Sequence, residues 1–241
     1  MGSSRQSQNE FLGELPPVSF ELLRPHLITV ELATGVVMVE AGVAHRKIWF
    51  PHCGVVSLVL SLGAGEAIDV GLVGRDGVIG ITAVQADVAR TAAIVRYPGT
   101  ASAIDRDVFR SAWQQSEPLR AALTRWLWQQ LGAAEQNAAC NAAHPIEARL
   151  CRRLLMLRDL ADSDQLPLTQ DHLAQMLGVR RNSVSLAAIT LRRAGLVRYT
   201  RGSLQIIDRN GLFQRACSCY TAADAARGWI TPAHWQAAAT N

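Results

Sequence analysis

Residues 168–196, which read LTQDHLAQMLGVRRNSVSLAAITLRRAGL, decide the fold of this chain. Thr169 suits the N-cap of a short helix, because its hydroxyl can accept a hydrogen bond from a first-turn amide. Gly178 predicts the end of that helix, since glycine adopts the left-handed C-terminal conformation at little cost. A second helix is predicted to begin near Arg180. Its buried stripe has i, i+3, i+4, i+7 spacing and comprises Val184, Ala187, Ala188 and Leu191.

The outward face of the second helix carries short or basic polar side chains at its N-terminal end. Arginine can form two hydrogen bonds to guanine, asparagine can form two to adenine, and serine can reach a base edge or a phosphate. Residues 196–208 predict a β-hairpin that turns at Arg201-Gly202-Ser203, which completes a winged helix-turn-helix. A winged helix that binds protein stays open as an alternative. The candidate DNA-binding residues are Thr169, Gln170, Arg180, Arg181, Asn182, Ser183, Ser185 and Arg201.

Net positive charge is concentrated in the same part of the chain. Residues 1–144 contain eleven Lys and Arg against thirteen Asp and Glu, whereas residues 145–220 contain twelve Arg against six acidic residues. This asymmetry favours an anionic partner for the later segment, here double-stranded DNA, although a solvated basic surface also fits it.

Membrane insertion, secretion and disulfide bonding are not expected. No apolar run approaches the roughly 20 residues of a membrane helix, and the polar N-terminus does not resemble a signal peptide, so a cytoplasmic protein is expected. The five cysteines are scattered and odd in number, which is typical of reduced thiols. Cys217 and Cys219 are only two residues apart, so a structural role is expected for them, with no metal site and no cofactor.

The region before residue 104 has the pattern of an all-β domain. Residues 1–17 predict a flexible arm that ends in two prolines. Short apolar runs separated by glycine and proline turns then predict a β-barrel or sandwich. The runs are Val36–Val39, Ile48–Phe50, Val55–Leu62, Ile68–Val73 and Ala92–Val95.

Residues 119–144 predict one long amphipathic helix. Its narrow apolar seam favours a parallel homodimer, and a helix packed on its own barrel stays open. Pro145 then predicts a break that acts as a hinge. A further helix is expected at residues 146–161, with Arg149, Arg152, Arg153 and Arg158 largely outward. The predicted dimer contacts are Leu119, Leu123, Trp126, Leu127, Leu131, Ala134 and Ala138.

Over about residues 18–220 the chain resembles the Crp–Fnr family of bacterial transcription regulators. The helix-turn-helix, the wing and the order of the segments carry this resemblance, together with FPHCGVVSLV at 50–59 and VGLVGRDGVIG at 70–80. It implies an α+β fold: a cyclic-nucleotide-binding-like β-barrel (jelly roll), a long dimerisation helix and a C-terminal winged helix-turn-helix. The expected domains are a flexible arm (1–17), a sensor barrel (18–118), a dimerisation helix (119–144), a DNA-binding domain (145–220) and a C-terminal tail (221–241).

The resemblance also implies roles for individual residues. Arg181, Asn182 and Ser185 occupy base-reading positions of the family, and Thr169 and Gln170 lie where the first helix meets the DNA backbone. The chain has Asn182 where the family commonly has glutamate and Leu186 where it has a later arginine, so no operator sequence is implied. RNA polymerase is an expected further partner.

The family's cyclic-nucleotide site reads Gly-x-x-Gly-Glu followed by Arg-Ser-Ala. Here Ile81 stands in the glutamate position, while Arg90-Thr91-Ala92 resembles the phosphate half. Losing a charged acceptor for a sugar hydroxyl costs on the order of 1.5–3 kcal/mol, which disfavours cyclic AMP. Arg90 and Thr91 are candidates for an anionic effector of unknown identity, and a solvated loop arginine fits equally.

Three kinds of function remain. The favoured one is a DNA-binding regulator controlled by a small effector or redox signal in the barrel. A constitutive DNA-binding dimer with a vestigial barrel is the alternative, beside a dimeric sensor that binds protein. A barrel-type metal enzyme is not expected, because His45 and His52 have no third histidine near them before His144. A haem would need an axial ligand, which the same two histidines or Cys53 would have to supply.

Overall fold

The computed structural model describes residues 8–63, 66–84, 86, 88–200 and 202–224. These residues form an antiparallel sheet domain, one long helix, and a helical domain with a second, three-stranded sheet. The predicted α+β fold is therefore present, in the predicted order.

The predicted flexible arm, residues 1–17, is wrong where the structure describes it; its first seven residues lie outside the described part. Helix α1 spans Glu10–Gly13 and α2 spans Pro17–Glu21. The side chain of Asn9 caps α1, and its amide nitrogen donates to three carbonyl oxygens of the sheet domain, 2.9–3.0 Å away. The apolar side chains buried with it are Phe11, Leu12 and Leu15.

Five strands form the main sheet, in the order β1-β5-β3-β4 with β2 also on β5, and every pairing is antiparallel. The pairing of β3 with β5 shifts register between Pro51 and Val56. Such bulges bend a long strand and increase its twist, which lets the sheet wrap around a core. The strands are β1 (Ile28–Leu32), β2 (Val37–Val39), β3 (Lys47–Gly63), β4 (Glu66–Val73) and β5 (Ala92–Asp105).

Two helices follow the sheet: α3 (Arg106–Gln115) and α4 (Glu117–Ala143). Ser116 caps the second, since its hydroxyl accepts from the Leu119 amide at 3.2 Å. Despite its length, α4 is not apolar enough to cross a membrane, and neither is any other helix among the described residues.

The first half of α4 belongs to the core of its own chain, which corrects the predicted dimer contacts. Leu119, Leu123 and Trp126 are buried against the sheet domain and cannot reach a partner. The sequence pattern did not separate the two uses, because the same helical periodicity serves both. The other predicted contacts are exposed: Leu127, Leu131, Ala134 and Ala138.

The chain breaks at His144, whose backbone is extended, and continues after Pro145 as a helical domain. Proline disfavours a helical conformation in the preceding residue, which explains the break. The small sheet has the order β6-β8-β7. The elements are α5 (Ile146–Ala161), β6 (Gln165–Leu166), α6 (Gln170–Leu177), α7 (Arg181–Arg193), β7 (Val197–Thr200), β8 (Ser203–Ile206), α8 (Arg209–Arg215) and α9 (Cys219–Asp224).

The arginines of α5 correct a second prediction. Arg149, Arg152 and Arg153 were expected to point largely outward but are only 7%, 3% and 4% exposed. The reason is that α5 lies between the sheet domain and the rest of the helical domain. Arg149 donates to the backbone carbonyl of Leu177, and Arg153 donates to that of Asp69 at 3.2 Å.

Candidate nucleic-acid interface

Helices α6 and α7 form the predicted helix-turn-helix. The Thr169 hydroxyl accepts from the His172 amide at 3.1 Å, and the His172 ring accepts from the Thr169 amide at 3.5 Å, which together cap α6. Gly178 ends α6 with φ of 60°, as expected for a left-handed C-cap. The whole predicted stripe of α7 is buried: Val184, Ala187, Ala188 and Leu191.

Burial of that stripe turns the opposite face of α7 to solvent. Arg180, Arg181 and Asn182 are exposed at its N-terminal end, and Ser183 and Ser185 are half-buried. Arg180 makes no side-chain cap bond, so the positive end of the helix dipole is not capped by that side chain, although the Ser183 amide donates to the Arg180 carbonyl at 3.0 Å. This end of α7 therefore presents donors suited to base edges and phosphates.

Ion pairing and hydrogen bonding link the two helices at this end. The Arg181 guanidinium lies 3.4 Å from the carboxylate of Asp171, and both side chains are 63% exposed. Exposed pairs of this kind are worth about 0–1 kcal/mol, so Arg181 is free to exchange Asp171 for a base. The Ser185 hydroxyl donates to the side-chain oxygen of Gln170 at 2.8 Å, so these two candidates lie together.

Leu186 is a functional candidate that the sequence treated only as a departure from the family. Its side chain is 69% exposed on α7, one turn after Asn182. An exposed leucine on the reading face suits the methyl group of thymine. The available signal was its position two residues after the buried Val184, which places it on the opposite side of the helix.

The wing consists of β7 and β8, joined by a turn at Gly202 with φ of 77°. Arg198 is exposed on β7 and adds positive charge beside the helix-turn-helix. The predicted phosphate contact Arg201 lies outside the described residues.

A buried polar cluster, which we term the interdomain network, joins the sheet domain to α6. It consists of Ser57, Asp69, Arg96 and Gln175. The Arg96 guanidinium lies 3.3 Å from Asp69 and donates to the side-chain oxygen of Gln175 at 3.0 Å. The Ser57 hydroxyl donates to Asp69 at 2.6 Å. The network holds the helix-turn-helix domain against β4.

The buried and the exposed arginines of this domain place their positive charges in different parts of the molecule. Burial, followed by repulsion from Arg152, lowers the pKa of Arg153 to about 10, so this guanidinium stays charged at neutral pH. Because it is buried, its charge is remote from the surface of α7. The DNA-facing charge must therefore come from the exposed arginines of this domain, among them Arg180, Arg181, Arg192, Arg193 and Arg198.

The effector candidates lie at the start of β5. Arg90 is exposed and Thr91 is half-buried. Ile81, in the position of the family's glutamate, is only 8% exposed and belongs to the hydrophobic core. That position is therefore part of the apolar packing and offers no acceptor for a ribose hydroxyl.

Comparison with known proteins agrees with this architecture. A family model described as a Crp-like helix-turn-helix domain matches residues 148–215. No curated protein sequence matches the chain.

Solved structures match over most of the chain. A Crp/Fnr-family protein from Eubacterium rectale superposes with a TM-score of 0.70 at 14% identity, covering 86% of this chain and 98% of that one. Two Crp-family regulators from Thermus thermophilus each cover 78% of this chain. The first superposes with a TM-score of 0.67 at 20% identity and is covered over 96% of its own length. The second superposes with a TM-score of 0.66 at 24% identity and is covered over 98% of its own length. At these identities the likeness establishes the fold.

Proposed function

We propose that this chain is a transcription regulator of the Crp–Fnr type, which its Crp-like helix-turn-helix domain and its fold support, and that it binds two DNA half-sites as a homodimer under the control of a signal received by the sheet domain. The observation that carries the proposal is the outward, uncapped end of α7 with Arg181 and Asn182 exposed on it. Those side chains would read base edges, while Thr169, Gln170 and the wing contact the backbone.

Dimerisation would use the second half of α4. Leu127, Leu131, Ala134 and Ala138 are exposed at alternating steps of four, three and four residues, which is the spacing of a two-stranded coiled coil. A parallel pair of such helices places two recognition helices about 34 Å apart, one turn of DNA.

The signal would pass from the sheet domain to the helix-turn-helix through two connections. One is the break at His144 and Pro145, and the other is the interdomain network. We propose that the effector is an anionic small molecule bound at Arg90 and Thr91. The functional units would be the sensor barrel (18–118), the dimerisation helix (119–144) and the DNA-binding domain (145–220). An effector can act only by binding one domain arrangement better than the other, typically by about 1–3 kcal/mol.

A second candidate is a constitutive DNA-binding dimer in which the sheet domain serves as a scaffold. The burial of Ile81 favours it, because the apolar core fills the place of the family's ribose acceptor. In both versions the chain acts in the cytoplasm with RNA polymerase as a further partner, and without catalysing a reaction.

The test is selection of binding sites from random-sequence DNA by the full-length protein, followed by affinity measurements at several salt concentrations. We expect a two-fold symmetric site with half-site centres about ten base pairs apart. Arg181→Ala should weaken binding to that site by about 1–3 kcal/mol and relax the preference at one position of each half-site. Unselective binding that depends on salt alone would contradict the proposal.

Arg24→Ala is the matched control for Arg181→Ala. Arg24 is 59% exposed and ion-paired with Glu21 at 2.8 Å, much as Arg181 pairs with Asp171, but it lies in the sheet domain. We expect it to leave both affinity and selectivity unchanged. Repeating the measurements with a small-molecule extract of the source cells separates the two candidates, because only the regulated protein changes its affinity.

A further inference from the structure

Three thiols and one imidazole converge where the long helix meets the end of the helix-turn-helix domain. The ligand atoms of Cys140, His144, Cys217 and Cys219 all lie within 4.8 Å of one another. The sulfurs of Cys140 and Cys217 are 3.5 Å apart, and the Cys219 sulfur is 3.5 Å from His144 Nδ1. The geometry points to a binding site for a single thiophilic divalent cation of the zinc class.

Two distant segments build the site. Cys140 and His144 are one helical turn apart at the end of α4, where the His144 amide donates to the Cys140 carbonyl at 3.1 Å. Cys217 and Cys219 follow α8, and the Cys217 amide donates to the carbonyl of Ala148 at 3.4 Å. The pair alone has too short a spacing to suggest a metal site, and the fold supplies the other two ligands.

The distances fit the edges of a coordination tetrahedron. Zinc bonds of about 2.3 Å to sulfur and about 2.0–2.1 Å to nitrogen separate two sulfurs by roughly 3.8 Å, and a sulfur from a nitrogen by roughly 3.5 Å. Three cysteines with one histidine are a usual ligand set of structural zinc sites. The two distances of 3.5 Å already match such edges, and the other pairs, all within 4.8 Å, need to close by at most about 1 Å.

Burial raises the pKa of Cys217 to about 12, so thiolates are expected only with a cation bound, and two neighbouring groups would then stabilise them. The Gln136 amide donates to the Cys219 sulfur at 3.0 Å, an outer-shell bond of the kind that orients a metal ligand. Arg149 is buried and close enough to interact electrostatically with both Cys140 and Cys217, and its Nε has no hydrogen-bond partner among the described residues. Zinc with three thiolates and a neutral imidazole carries a net charge of −1, which this guanidinium offsets.

A disulfide between Cys140 and Cys217 is the competing use of the same residues. It would occupy two sulfurs and leave Cys219, His144 and Gln136 without a part in the chemistry. A single cation accounts for all of them. Bound there, it would tie α4 to the start of α9 and the residues before it, across the break at Pro145, and restrict rotation between the long helix and the helix-turn-helix domain.

The first experiment uses the reduced full-length protein, stripped of metal and titrated with Co²⁺, whose spectrum reports tetrahedral thiolate coordination. We expect one equivalent to bind per chain, with intense sulfur-to-cobalt absorption. Cys140→Ser and Cys217→Ser should each weaken that absorption and the affinity. Cys53→Ser is the control, because Cys53 is exposed on β3 and is not one of the four clustered residues; it should change neither.

A second experiment needs no substitution in the site. Zinc added to the wild-type protein should protect Cys140, Cys217 and Cys219 from alkylation, as mapped by mass spectrometry, and should leave Cys53 reactive. Gln136→Ala should keep the spectrum and weaken binding by roughly 10–100-fold. Absence of Co²⁺ uptake, or uptake that survives both cysteine substitutions, would overturn the site. So would a reduced protein that takes up no metal but forms a Cys140–Cys217 disulfide in air.

Discussion

Among single residues, Leu186 makes the most specific claim about readout. A leucine 69% exposed on the reading face of α7 is suited to contact the thymine methyl group. We expect Leu186→Ala to lower affinity for the selected site by about 1 kcal/mol, since the substitution removes a methine and two methyl groups, of which only the part that contacts the base is buried. Replacing the contacted thymine with uracil, which lacks the methyl group, should lower the affinity of the wild-type protein for the site. It should not lower the affinity of Leu186→Ala any further.

Ile207→Ala provides the control for that substitution. Ile207 is 49% exposed after β8, and its amide donates to Leu196, which follows the C-terminal end of α7, so its loss should not alter the response to uracil. An uracil effect of equal size in wild type and Leu186→Ala would show that another group contacts the methyl.

His172 gives the α6 cap a dependence on pH. Burial, with the nearby Arg96 guanidinium second, lowers the pKa of His172 below its usual 6.5. The unfolded chain therefore takes up a proton at higher pH than the folded one, so stability present above the usual pKa is lost as pH falls toward the folded value. His172→Gln should keep the cap bond and reduce that loss, as measured by the free energy of unfolding at about pH 7.5 and about pH 5.5.

Other histidines also contribute to the pH dependence of the free energy of unfolding, and the comparison of wild type with His172→Gln cancels their contribution. Burial also lowers the pKa of His52, which affects wild type and variant alike. His26→Gln, at an exposed position of a 3₁₀ turn, should leave the pH dependence of wild type unchanged. If His172→Gln behaves the same way, the imidazole does not determine the pH response.

At the scale of elements, α4 has two successive parts with different tasks. Leu123 is buried in the core of the sheet domain, whereas Leu127 and Leu131, farther along the same helical stripe, are exposed. We expect Leu127→Asp combined with Leu131→Asp to convert the dimer to a folded monomer, as seen by light scattering and circular dichroism. Charges on the seam would be desolvated only in the dimer, so the penalty falls on association.

Two further substitutions define what that result means. Leu62→Asp, at a 55% exposed position of β3, should leave the dimer intact. Leu123→Asp should unfold the chain, because it buries a charge in the core of the sheet domain. A monomeric wild type at micromolar concentration, or an intact dimer in the double variant, would refute the interface on α4.

Elements also differ in how far the sequence could predict them. Helices α6 and α7 were predictable, because their caps and their buried stripe lie within one short window. The burial of Arg149 and Arg153 was not, since their carbonyl partners come from Leu177 and Asp69, which are distant in sequence. The cluster around Cys140 was missed for the same reason: Cys140 and Cys217 lie 77 residues apart and meet only in the folded chain.

At the scale of the whole molecule, the interdomain network couples the two domains. The Arg96–Gln175 bond crosses between them, and hydrogen bonds to charged groups contribute about 1.5–3 kcal/mol. We expect Gln175→Ala to raise the hydrogen-exchange rates of both β4 and α6, because the domains then open more often. Gln115→Ala is the control, since the Gln115 side chain donates to Ser111 within α3, and it should not change exchange in either element. Unchanged exchange in the Gln175 variant would mean that the bond does not couple the domains.

The division of α4 between core and surface also has a consequence for the order of assembly. Because the first half of the helix completes the hydrophobic core of its own chain, the seam exists only after that chain has folded. Folding is then a first-order step, and association a separate second-order step that follows it. The refolding rate of the core should therefore be the same at every protein concentration, while only the later gain in mass accelerates as chains become more numerous. A nascent chain would fold as a monomer, and two folded chains would then associate through seams that are already formed.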